Sequence, residues 1–222
     1  MSSMGELRLY AIGIDEMRGM FGAHPQEQER LRQVATQALT PAPDAARHGS
    51  LITKLGPIFR RPPAAAVISP TQPVPQDVDV LLAGAYVPPD RTGATWRLLE
   101  ILVQGTAWGS TLMSLSPESL DELDFALARG GVHAAVGLRH LLTSPTSISL
   151  VPVHGLTVGW HPYEKALAMA EAYRAALPEI KTQQQQEMVA ALVGWLDGFT
   201  SWSQVAAEPG RPVPDLVGFW AN

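Results

Sequence analysis

Short apolar runs of strand character recur in this chain at irregular intervals, and segments with helical periodicity outnumber them. A doubly wound α/β sheet needs strands and helices to alternate, because each parallel crossover takes up a helix. That alternation is missing. The spacing instead points to α+β: a helix-rich single domain over residues 1–222 with a small, mostly antiparallel sheet. Leu7 to Ile14 reads as a buried first strand and Gly109 to Leu115 as a second. Ile148 to Val153 and Leu156 to Trp160 flank His154-Gly155 and read as a β-hairpin, with Pro152 placing its first strand at an edge or bulge.

Between these runs the helix signals are plain. Asp15 offers a carboxylate at a helix start and Gly22 a stop, while Pro25 suits the first turn of a second helix with Leu31, Val34, Ala38 and Leu39 inward, ended by TPAPD. Leu51 to Phe59, broken by Gly56-Pro57, reads as a bent connection. Residues 61–76 hold five of the 19 prolines, so they form an extended proline-rich loop crossing the domain, or a linker. Val78 to Ala85 and a helix from Asp90 or Thr92 to about Gln104 follow. Ser116-Pro117-Glu118 combines a hydroxyl cap, a first-turn proline and an acid at the positive dipole end, and Gly130-Gly131 stops that helix. Val132 to Leu142, Pro162 to Ala176 and a helix capped by Thr182 and Gln185 complete the set. The tail GRPVPDLVGFWAN reads as a proline-rich end tied to the body by its aromatics.

Composition excludes more than it selects. With 46% hydrophobic and 17% charged residues the chain can bury a core without a metal or disulfide staple. The absence of cysteine removes thiolate metal sites, redox pairs and a Cys nucleophile. A net charge of −5 is the wrong sign for a phosphate-backbone binder, so no nucleic-acid partner is expected. No run reaches the ~18 apolar residues of a membrane span and no secretory signal is visible, which points to a cytoplasmic protein without a membrane partner.

No catalytic motif is complete. GTAWGST (Gly105 to Thr111) has three residues between its glycines where a phosphate loop needs four, and no lysine. Gly13, Gly19 and Gly22 do not spell the dinucleotide fingerprint. His133 and His140, seven apart, would lie ~10.5 Å apart along one helix, too far to share an ion. No cofactor and no metal site is therefore expected, and the chain leans away from an enzyme. Two constellations remain. Asp121, Glu122 and Asp124 sit in a dense acidic helix start, read first as a solvated face and second as a docking face for a basic protein. Trp195, Phe199 and Trp202 form an i, i+4, i+7 stripe, which with Trp220 is either core or a set of partner anchors. A small-molecule site would use Asp15, His154 and His161, since imidazole titrates near neutrality.

The run PPDRTGATWRLLEILVQGTAWGSTLMSLSPESLDELDFALARGGVHAAVGLRHLL, continued by LTVGWHPYEKALAMAEAYRAALPEI and DLVGFW, resembles an uncharacterised actinobacterial protein family over about residues 85–220. The resemblance implies a small soluble bacterial protein without established catalytic residues, from a family with members in toxin–immunity or secretion-linked neighbourhoods. The expectation is a protein-binding module, such as an immunity protein or adaptor, that occludes a protein partner of basic character. A small-molecule enzyme or ligand-binding protein is the alternative, and a homodimer through the C-terminal aromatics is compatible with both.

Overall fold

The structure, a computed structural model, describes residues 4–40 and 69–222. The TPAPD stop beyond Thr40, the Leu51 to Phe59 connection and residues 61–68 of the proline-rich crossing lie outside the described residues. Of those described, residues up to Gly19 and from Val103 onward form one compact unit, and Met20 to Leu102 form a second.

The first unit holds β1 (Gly5–Ile12), β2 (Gly109–Leu115), β3 (Leu156–His161) and β4 (Asp215–Ala221), in one antiparallel sheet of order β2-β1-β4-β3. The fold is thus α+β, helix-rich with a small antiparallel sheet. The expected hairpin does not form: Ile148 to Val153 is not a strand, and β3 pairs with β4, Leu156 opposite Ala221 and His161 opposite Leu216. Proline cannot donate to a ladder, which disfavours the segment around Pro152. β4 offers a better partner, with Leu216 to Trp220 all buried. The tail is therefore a central strand, a role that suits a continuous apolar run.

Helices α1 (Ile14–Gly19), α5 (Pro117–Arg129), α6 (Leu138–Thr143), α7 (Tyr163–Ala176), α8 (Gln183–Leu196) and α9 (Gly198–Ala207) belong to the same unit. One core joins Leu7 and Leu9 of β1 to Leu120, Leu123 and Leu127 of α5, Tyr173 of α7, Leu192 of α8 and Phe199 of α9. Ser116 Oγ accepts the Ser119 N–H at 3.1 Å, as its place before Pro117 predicts. Val132 to Leu142 is not one helix. It breaks into a 3-10 turn at Ala134–Val136 and α6, with Gly137 extended between them (ψ 158°). Asp124 Oδ1 accepts the Leu138 N–H at 2.7 Å, so a carboxylate from α5 caps α6. Close packing of α6 on the sheet needs the cross-strand glycines Gly159 and Gly218. A Cβ on Gly159 would stand 1.9 Å from the Leu141 carbonyl oxygen, and one on Gly218 3.2 Å from the Leu141 side chain.

In the second unit α2 (Pro25–Leu39) packs with α3 (Pro75–Leu82), with Leu31, Ala35, Leu81 and Leu82 inside. Gln28 Nε2 donates to the Ala23 and Leu82 carbonyls at 2.8 and 3.1 Å. Arg91 spans the carbonyls of Ser69 and Gln72 and the buried Asp77 carboxylate, whose hydrogen bond holds its guanidinium above the usual range. Helix α4 (Thr92–Thr106) starts in this unit and ends in the other.

Candidate functional site: an open strand edge beside α8

The main chain of an antiparallel strand points alternately to its two neighbours. Asn222 continues the β3–β4 register opposite Gly155, and its N–H donates to the Gly155 carbonyl at 2.9 Å. Even-numbered residues of β4 thus bond toward β3 and odd-numbered ones toward β1. On β1, the residues opposite those odd positions, Glu6, Arg8, Tyr10 and Ile12, face β4, which leaves Leu7, Leu9 and Ala11 facing β2. Their partners Met113, Thr111 and Gly109 point back to β1. The N–H and C=O groups of Ser110, Leu112 and Ser114 therefore point outward. Among the described residues β2 is an edge strand, so no neighbouring strand receives them.

A groove of about 410 Å³ lies along this edge, bounded by Thr111 to Leu115 of β2 and by Gln184, Glu187, Met188, Ala191 and Leu192 of α8. The sequence builds both walls locally. Thr182 Oγ1 accepts the Gln185 N–H at 3.3 Å and starts α8, whose Val189, Leu192 and Leu196 sink into the core. Ala191 and Glu187 are left exposed on the groove side. On β2, Met113 packs partly against the core, while Leu112 on the opposite face is 54% exposed. At the strand's start, Trp202 lies so close to Gly109 that a Cβ there would come within 2.2 Å of the indole.

The residues expected to anchor a partner divide between surface and interior. Asp121 is ion-paired with Arg139, and Asp124 caps α6. Asp121 and Glu122 both stay exposed, and Glu122 lines a smaller hollow with Phe125, Arg129 and Lys181. Trp202 is half-buried among Trp195 and Phe199, with ring centroids 5.5 and 5.4 Å away, and Trp220 is 4% exposed within β4. The indole stripe is thus packing. Its spacing is the one a helix uses to fill a core.

The alternative trio is not brought together. Asp15 is exposed and pairs with Arg18 at 3.0 Å. His154 sits in the turn before β3 and His161 at its far end, roughly 20 Å apart along an extended strand. His161 is 1% exposed, its Nε2 has no hydrogen-bond partner, and its ring centroid lies 5.2 Å from that of His140. Burial first, then the charges of Lys165 and His140, push its pKa down to about 4 against a backbone hydrogen bond at Trp160. It is a neutral imidazole without a carboxylate to orient it as a base. Asp215, half-buried, accepts the Ile14 and Tyr163 N–H groups at 2.8 and 3.2 Å. Its pKa is raised by burial, opposed by those two hydrogen bonds. Among the described residues no cluster of three or more His, Asp or Glu could hold a metal, and no helix is long and apolar enough to cross a membrane.

Sequence reading found β2 with its full bounds but not its place at the edge, because strand order depends on distant partners. The one local hint is polar-apolar alternation in GSTLMSL without charges or proline to blunt it.

Fold and site together define a helix-rich α+β protein whose antiparallel sheet, among the described residues, has an open, grooved edge. The chain belongs to the family described as a domain of unknown function, DUF7691, whose model matches residues 4–221. No curated protein and no solved structure matches the chain.

Proposed function

We propose that this chain is a protein-binding module of the bacterial cytoplasm that captures an extended segment of a partner by adding it to β2 as a fifth strand. The observation that carries this reading is the outward main chain of Ser110, Leu112 and Ser114 beside the β2–α8 groove. Strand addition derives affinity from main-chain hydrogen bonds and selectivity from alternate side chains entering a pocket. Burying a partner's segment in this way occludes it, the mode of action of an immunity or adaptor protein.

Leu112→Pro tests the reading. Proline at this position deletes an outward N–H and leaves the ladder to β1 intact, so the fold should tolerate it on an edge. Peptides selected by the full-length chain from a displayed random heptapeptide library are expected to lose at least ~10-fold in affinity for Leu112→Pro by fluorescence polarisation. Ala191→Trp, which fills the groove from an exposed position, should do the same without touching the core. Binders indifferent to both changes, or a library that yields none, overturn the reading. A small-molecule site at the end of β3 keeps one supporting observation, the unpartnered Nε2 of His161. Metabolite-induced shifts of the His161 imidazole resonances, with no peptide selected, would favour it.

A further inference from the structure

The groove also carries a selectivity, resting on the strand-addition reading above. Gln184 to Leu192 covers about 12 Å of helix and Thr111 to Leu115 about 14 Å of strand, so the two walls match in length. A segment added to β2 turns every second side chain toward α8, with about 6.8 Å between such side chains. Along α8, Glu187 and Ala191 are one turn apart, about 6 Å. These two spacings nearly coincide. A segment with one side chain against Ala191, Leu192 and Met113 therefore has the spacing to bring its neighbour two residues away to Glu187.

The chemistry of those two places differs. The first is apolar, formed by Met113, Leu115, Met188, Ala191 and Leu192. Its methionines can adapt to side chains of different shape. At the second, Glu187 carries the only charge among the described lining residues. Its Oε1 accepts a hydrogen bond from Gln183 Nε2 at 2.8 Å, which orients the carboxylate without neutralising it. Between them the intervening side chain of the segment falls on the opposite face, beside the exposed Leu112. We infer that the β2–α8 groove selects an extended segment of a partner protein with an apolar and a basic side chain two residues apart, the basic one paired with Glu187. The chain's net charge of −5 favours approach of such a segment.

The test is to pan the same heptapeptide library in parallel against the full-length wild type and Glu187→Lys. Wild-type binders should be enriched in Lys or Arg two positions from an apolar residue, and Glu187→Lys binders in Asp or Glu at that position. A lysine-bearing wild-type binder should lose roughly 3- to 10-fold in affinity for Glu187→Lys, with Glu187→Gln between. Pools of the same composition at that position, from binders that Leu112→Pro still abolishes, overturn this inference and leave strand addition standing. Binders insensitive to both Leu112→Pro and Ala191→Trp remove both. A concentration-dependent dimer in sedimentation, lost in Leu112→Pro, assigns the edge to a second copy and overturns both as well.

Discussion

The two edges of the sheet are treated in opposite ways. At β3 the edge is covered: Pro145 bridges to Gly159, Trp160 Nε1 donates to the Pro145 carbonyl at 2.8 Å, and α6 lies across Gly159 and Gly218. The Arg18 guanidinium stacks over Trp160 at 5.3 Å and donates to the Thr146 carbonyl at 2.8 Å, holding the cover in place. At β2 nothing comparable is present among the described residues, and the strand carries no proline, lysine or other charge. Sheet proteins usually blunt both edges, because a free row of N–H and C=O groups recruits other chains. A molecule that seals one edge with a proline, a tryptophan and a helix, yet leaves the other beside a groove, separates a structural edge from an available one.

The sharpest way to break this contrast is Gly159→Ala. The added Cβ would meet a backbone carbonyl and not a flexible side-chain tip, so α6 must lift from the sheet. A loss of about 3 kcal/mol in urea unfolding is expected, the upper range for overpacking. Wild-type stability would mean that α6 does not seal this edge. The same change should leave binding at β2 intact wherever the protein remains folded.

A smaller effect concerns protons. His161 has a folded pKa of about 4 against an ordinary 6.5, so between these values the unfolded chain binds the extra proton. Its contribution to stability is therefore complete above pH 6.5 and is lost as pH falls toward 4. Asp215, raised by burial, contributes with the opposite sign at the lower end, so the readout is a difference between variants. Urea midpoints measured from pH 7 to pH 4.5 should fall less steeply in His161→Gln than in wild type. Equal slopes would show that water reaches the imidazole and that the β3 end is not closed.

The smallest effect should come from Trp160→Phe, which keeps most of the ring and removes one hydrogen bond, about 1 kcal/mol. Faster amide exchange at Val158 and Trp160, with β2 amides unchanged, is the expected signature. Uniform change across the sheet would mean that the edges are not independent.

How much of this was legible beforehand depends on the range of each interaction. Ser116-Pro117-Glu118 was readable because a cap, its proline and its dipole charge act within one turn. β2 was readable because its alternation lies inside seven residues. The hairpin expected at His154-Gly155 fails for the same reason: local turn chemistry is there, with Gly155 at φ 80°, but the strand it introduces pairs with the distant apolar run Leu216 to Ala221. Asp124 looked like a member of an acidic face, yet its hydrogen bond goes to a helix start 14 residues away.

By itself, then, the sequence determined an α+β chain rich in helix, most helix starts, the apolar positions of β1 and β2, and a net negative charge. Each follows from forces that act over a few residues or from composition. Only the tertiary structure decided that β4 lies inside the sheet and that, among the described residues, β3 is sealed while β2 stays open. It also decided that Glu187 borders the groove, that Trp220 is core and that Trp202 packs half-buried against it. These depend on which distant segments bury each other best. That competition is settled by the packing of the whole unit, which no local window contains.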